Sequence, residues 1–150
     1  MNRVVITGLG VISCLGNDRS EVLSSLRASK SGLSINQDYV DNGMRCHVSG
    51  QVNPDLTTID RKMLRFMSET SAYAFLSTKE AIEDSGLSAE QISNSDVGVI
   101  VGSGTGSSRE LKNVVDTARE KGIKRVGPYA VTRTMGNTTS AAISTFFQTK

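Results

Sequence analysis

The chain has 150 residues, 37% hydrophobic and 21% charged, which is enough for one domain with a modest core and too apolar for a disordered segment. Its net charge of +2 is too small to argue for nucleic acid by itself, so any basic patch has to be local. No apolar run reaches the length that spans a membrane, and the apolar opening is too short and glycine-rich for a signal peptide, so the expected compartment is the cytoplasm.

Residues 3–7, Arg-Val-Val-Ile-Thr, are β-branched and stopped by glycine, and they read as a buried strand. Asn17 is the expected N-cap of the following helix. Ser20 and Glu21 fall in its first turn, Val22, Leu23 and Leu26 form its apolar stripe, and Gly32 lies past its end. Residues 33–58 carry no strong period; "GMRCHVSGQV" reads as a short strand or hairpin at an edge, ended by Pro54. From Asp60 to Ser85 apolar residues recur at helical spacing, and Gly86 suits the C-cap. "SAEQISNSD" reads as a short helical turn or loop, and "VGVIVGSGTGSS" at 97–108 as an apolar strand running into glycines and serines. Residues 109–121 read as a polar surface helix. Gly127-Pro128 breaks the chain, and "TMGNTTSAAISTFF" reads as a helix whose small residues pack closely on another backbone. The alternation predicts an α/β domain with a mainly parallel sheet. Two central strands are few for such a sheet, which is a sign of an incomplete chain.

Gly8 and Gly10 invite comparison with a dinucleotide-binding loop. That fingerprint wants a third glycine and a helix opening directly after it; here Ser13 stands third, and Cys14 to Asn17 intervene. The glycine-rich stretch at 102–108 lacks the Lys-Ser/Thr pair of a P-loop. A nucleotide-binding α/β protein is therefore a poor reading, and the first glycines are expected to permit positive φ and close packing. Cys46 and His47 are adjacent, but a zinc site would need two further ligands at suitable spacing, so no metal and no cofactor is expected, and Cys14, Cys46 and His47 are all read as structural.

Charge is the more informative signal. Arg61 and Arg65 sit at i and i+4 spacing with Lys62 beside them, on one face of the expected long helix. Lys121, Lys124 and Arg125 form a second cluster before Gly127. Such runs are often no more than a solvated face. Positive charge at a helix start opposes the helix dipole, which lends weight to a binding role for Arg61 and Lys62. No aromatic residues interleave with these charges as single-stranded nucleic acid would want. An acidic protein, steered electrostatically, is the better match.

Several blocks in order carry a resemblance: "VVITGLGVISCLGN", "NGMRCHVSGQVN", "IDRKMLRFMSETSAYAFLS", "VGVIVGSGTGSS" and "KRVGPYAVTRTM". Together they resemble the N-terminal part of the β-ketoacyl-acyl carrier protein synthases, within them the synthase I group, over the whole of residues 1–150. The resemblance implies a partial thiolase fold: an incomplete N-terminal βαβαβ half with a mainly parallel sheet and helices, in a protein that works as a homodimer. It implies an acyltransferase that loads an acyl group on a cysteine and condenses it with malonyl-acyl carrier protein, with loss of carbon dioxide, in fatty acid elongation. One cysteine and two histidines do that chemistry in the family. Neither Cys14 nor Cys46 matches the nucleophile's motif and His47 is the only histidine, so the expectation is no catalytic residue here, with the nucleophile strand and the C-terminal half lying outside these 150 residues. The isolated chain is expected to be inactive, and poorly stable or aggregating.

By the same resemblance Arg61, Lys62, Arg65, Lys121 and Lys124 match residues that dock the acidic carrier protein. Thr105 and Met135 match residues of the acyl pocket, Met135 serving the neighbouring subunit. Thr105 stands where relatives often carry glycine, which would reshape the tunnel. Neither nucleic acid nor membrane is an expected partner. A non-catalytic carrier-protein-binding or chain-length-type partner on the same half fold remains the alternative.

Overall fold

The computed structural model describes residues 3–149. Helix α1, Arg19–Arg27, is capped by Asp18, whose carboxylate accepts the Glu21 amide at 2.8 Å, while Glu21 reaches back to the Asn17 amide at 2.7 Å. The cap is thus Asp18 and not Asn17, because the aspartate oxygen is the one in register with the first free amides. The helix ends before Gly32. Ser29 takes the left-handed conformation, φ 51°, and the Lys30 and Ser29 amides return to the carbonyls of Ser25 and Leu26, a Schellman closure built on serine.

Strands β1, Leu33–Ile35, and β2, Val48–Gly50, pair antiparallel with Ile35 opposite Val48, and α2, Gln37–Asp41, lies in the connection. Of the short strand or hairpin expected at 43–52, the structure has the short strand, β2, whose partner β1 lies upstream of that stretch. Asn36 closes the pair, its amide on the His47 carbonyl at 2.8 Å and its side chain on the Ser49 hydroxyl at 3.0 Å.

The single helix expected from Asp60 to Ser85 is two. Helix α3, Arg61–Leu64, stops at Arg65, and α4, Glu69–Ser85, starts afresh from Ser68. Ser68 is buried, and its hydroxyl accepts the Ser71 amide at 3.2 Å. A buried hydroxyl in that position satisfies an orphan donor that helix continuation would have supplied for itself. Gly86 closes α4 at φ 68°, as expected of a left-handed C-cap. Helix α5, Ala89–Ile92, carries a full capping box from Ser88 and Gln91. Helices α6, Ser108–Lys121, α7, Ala130–Thr134, and α8, Thr138–Phe147, complete the chain.

The core lies between α4 and α8. Ile59, Met67, Ala72, Phe75 and Ala142 are buried together, with Phe75 stacked on Phe147 at 5.2 Å and edge-on to Phe146 at 5.7 Å. Small residues let the two helices approach: Ser71, fully buried, meets the Thr139 hydroxyl at 3.4 Å. The small-residue stretch does pack on another backbone, as its composition predicts.

The mainly parallel sheet is not formed among the described residues, whose sheet is the β1–β2 ribbon alone. Segments 3–12 and 97–103 carry no regular secondary structure and lie outside any ladder. Val4, Ile6 and Ile100 are 95%, 88% and 101% exposed. A strand of a parallel sheet is buried on both faces and bonded along both edges, and here the ladder partners are replaced. The Leu9 amide bonds the Asp84 carboxylate at 3.1 Å and the Val11 amide the Glu80 carboxylate at 2.9 Å. Glu80 also takes the Arg19 amide at 2.8 Å, and Arg19 pairs with Asp84. Exposed β-branched edges of this kind are templates for pairing with another chain.

Gly8 and Gly10 lie directly on α4. A side-chain carbon at either would run into the carbonyls of Ala81 and Ser77. Close packing is their role, and the positive φ expected of them is absent: among the described glycines it falls at Gly43, Gly86, Gly106 and Gly122.

The Asp84 carboxyl is held below its ordinary 3.8, first by the Arg19 guanidinium and then by the Leu9 amide. A depressed value makes the latch fully effective above the ordinary carboxylate range and weakens it as pH falls through the lower folded value. Protection of the Leu9 amide from hydrogen exchange is expected to persist at neutral pH and to decline in strong acid, and to be lost at every pH in Asp84→Ala, which leaves no acceptor. Undiminished protection in that variant would show that the carboxylate does not hold the segment.

Candidate functional site

The basic residues singled out above sit on two short elements. Asp60 caps α3 through the Lys62 amide at 2.7 Å, so Arg61 and Lys62 project from a first turn that is also nearly the last, the helix having four residues. The helix is too short for a dipole to oppose them, and the capping carboxylate lies beside them, so the dipole argument for a binding role lapses. Arg65 is the C-cap, and all three side chains are exposed. Lys121 ends α6; Lys124 and Arg125 lie in the 3-10 turn Ile123–Arg125, also exposed.

Elsewhere in α6 two cations are engaged, while Arg119 forms no ion pair among the described residues. Lys112 pairs with Asp116 at 2.5 Å, and Arg109 with Glu69 at 2.6 Å. Among the described residues, Arg61, Lys62, Arg65, Lys121, Lys124 and Arg125 form no ion pair. Unpaired surface cations keep their field for an incoming partner, and attraction between such groups and an acidic surface is screened by salt.

The two clusters are joined through their neighbours. Phe66, next to Arg65, meets the ring of Tyr129 edge-on at 4.8 Å. Arg133 of α7 donates from Nε to the Arg65 carbonyl at 3.0 Å and lies 3.6 Å from the Glu110 carboxylate of α6. Neither Phe66 nor Arg133 stands out in the sequence. Phe66 falls at the helical spacing of core residues, yet it is 46% exposed, because α3 ends at Leu64 and Phe66 lies in the break before α4. Arg133 acts on a carbonyl 68 residues away, for which no local pattern exists.

Thr105 and Met135 occupy adjacent loops. Gly106, at φ 64°, sits so that a side-chain carbon would come 3.4 Å from the Met135 carbonyl and from the Gly136 backbone. The Thr70 hydroxyl fixes that loop by donating to the Gly106 carbonyl at 3.2 Å. Met135 lines an apolar cleft of about 340 Å³ with Phe66, Thr138, Ala141, Ala142 and Phe146. Thr105 is exposed and lies outside that lining. The loops come together, but the two side chains do not share one cavity.

Cys14 is partly buried against Gly32 and Gly50, and Cys46 is exposed. No group of three or more His, Cys, Asp or Glu among the described residues is arranged to hold a metal ion. No helix among them is long and apolar enough to cross a membrane.

The family described as "Beta-ketoacyl synthase, N-terminal domain" matches residues 1–150. The 3-oxoacyl-(acyl-carrier-protein) synthase 1 of Haemophilus influenzae is 48% identical over 97% of this chain, which covers 36% of that relative. The corresponding protein of Escherichia coli K12 is 50% identical over 99% of this chain and is covered over 37% of its own length. The crystal structure of a β-ketoacyl synthase from Burkholderia phymatum superposes with a TM-score of 0.83 at 28% identity, over 100% of this chain and 38% of that one. The chain thus spans little more than a third of the relatives it matches. The superposition makes its architecture a partial thiolase-type fold, helix-rich with a small sheet.

Proposed function

Because the chain belongs to the β-ketoacyl synthase family through its N-terminal domain, we propose that it forms part of a 3-oxoacyl-acyl carrier protein synthase, contributing the carrier-docking face and part of the acyl pocket. The whole enzyme elongates fatty acids by decarboxylative condensation of an acyl group with malonyl-acyl carrier protein, as a homodimer in the cytoplasm. The nucleophile strand and the C-terminal half belong to the remainder of that enzyme. The observation that carries the reading is the set of unpaired, exposed cations on α3 and at the end of α6. An acidic carrier protein is drawn to such a surface over the Debye length and released by salt. Arg61, Lys62 and Arg65 supply one side of the face and Lys121 and Lys124 the other.

The Met135 cleft is apolar enough for an acyl chain. Each buried methylene is worth about 0.8 kcal/mol, so a cleft that admits only part of a chain still discriminates between lengths. Thr105 lies on the adjacent loop, outside that lining, and the cleft gives it no contact with the chain. The chemistry itself needs a thiolate of lowered pKa and donors at the thioester oxygen. One histidine and two cysteines, the latter placed as described, cannot supply a Cys-His-His set, so this chain binds and positions but does not turn over.

Titration with holo-acyl carrier protein tests the docking face. At low ionic strength the chain is expected to bind, and the triple variant Arg61→Ala, Lys62→Ala, Arg65→Ala to lose about tenfold or more in affinity, with most of the difference erased at high salt. Equal affinity of the triple variant at low salt would remove these residues from the interface.

A further inference from the structure

Arg133 ties together the segments that carry the two basic clusters. Only 35% of its side chain is exposed, and its partner Glu110 is 19% exposed. The Arg65 carbonyl that it holds is at the C-cap of α3, where carbonyls lack helical partners. Glu110 stands in the first turn of α6, its amide capped by the buried Ser107 hydroxyl at 3.3 Å. One guanidinium therefore joins the end of α3, the body of α7 and the start of α6. Lys121 is at the far end of that same α6, and Lys124 and Arg125 immediately follow it.

We infer that Arg133 is a positioning residue for the docking face: held by Glu110, it fixes the Arg65 backbone so that the cations of α3 and those beyond α6 are presented to an acidic carrier protein in one geometry. This rests on the docking function proposed above. The role needs one nitrogen that donates to the carbonyl and a second that carries charge toward the carboxylate, held apart in a planar fork. A lysine in its place keeps the charge and reaches only one of them.

Charge and position make opposite predictions, which separates them. Affinity for holo-acyl carrier protein is measured for the chain and for R133K, E110Q and the R61A/K62A/R65A triple variant. If Arg133 mattered only as a charge, R133K would bind as the parent does, and E110Q, which makes the surface more positive, would bind more tightly. Positioning predicts that both bind about threefold to tenfold more weakly, with the dependence on salt unchanged, because no docking cation has been removed. It also predicts that R133K has no further effect in the triple variant. Circular dichroism of each variant confirms that the fold is retained. Where the chain alone aggregates, the same substitutions are read in a chimera joining it to the remaining length of the Escherichia coli relative. Parental or tighter binding by R133K and E110Q overturns the positioning role. Parental binding by the triple variant fails the docking face itself, a separate outcome.

Discussion

Gly10→Ala is expected to lower the thermal midpoint by roughly 9 °C, the equivalent of about 3 kcal/mol for a chain of this size. The added methyl has nowhere to go. It would fall on the Ser77 carbonyl and within 2.8 Å of the Ala81 amide nitrogen, all of it backbone of α4. A flexible side chain can swing aside; a helix backbone in mid-span moves only if the whole of α4 moves, and α4 carries Phe75 and the core. Relief must therefore come from the opening segment lifting away, which breaks the Leu9 and Val11 bonds to Asp84 and Glu80. Gly98→Ala is the matched control, since a side-chain carbon there meets nothing within 4 Å. Differential scanning fluorimetry of both variants decides the matter: equal midpoints for Gly10→Ala and Gly98→Ala would mean that the opening segment does not rest on α4.

The same glycines show why a familiar motif misleads when read by spacing alone. Two glycines after a β-branched run match the start of a nucleotide-binding loop, but their amides do not crown a helix. They are small because a helix passes against them. The sequence already carried that distinction in Ser13 and in the residues between Cys14 and Asn17, which push the helix start away from the glycines.

Helices were the legible part of the fold. Gly86 closes α4 where its conformational freedom is needed, and the Thr-Thr-Ser-Ala-Ala run of α8 seats against Ser71 and Ala72. Local rules sufficed because caps and small-residue faces are written within a few positions. The parallel sheet was not legible in the same sense. Residues 3–7 and 97–101 have the composition of buried strands, but a strand exists only with its ladder partners, and composition says nothing of whether they are at hand. The break between α3 and α4 was hidden for a different reason: Ser68 caps α4 through the Ser71 amide, and an apolar period that runs through the break gives no sign that a serine within it serves as a cap.

The candidate site divides along the same line. Arg61, Lys62 and Arg65 could be grouped from the i, i+4 rule, and they are exposed together. Thr105 and Met135 were brought to adjacent loops, but only Met135 faces the apolar cleft. Phe66 and Arg133 were invisible, since each owes its importance to a contact with a residue more than sixty positions away.

On the proposed function, these 150 residues supply docking and acyl-pocket surfaces to a condensing enzyme whose nucleophile lies in its remaining length. The measurement that bears on it most directly is condensation itself, with acyl- and malonyl-acyl carrier protein as substrates and release of carbon dioxide as the signal. The chain alone is expected to give none, for want of a Cys-His-His set. Joined to the remaining length of the Escherichia coli relative it is expected to give 3-oxoacyl product, and the Arg61, Lys62, Arg65 triple alanine version to lose rate chiefly through a raised KM for carrier protein. Turnover by the chain alone would contradict the account, and so would a folded, carrier-binding chimera without condensation, which would point instead to a non-catalytic carrier-binding partner.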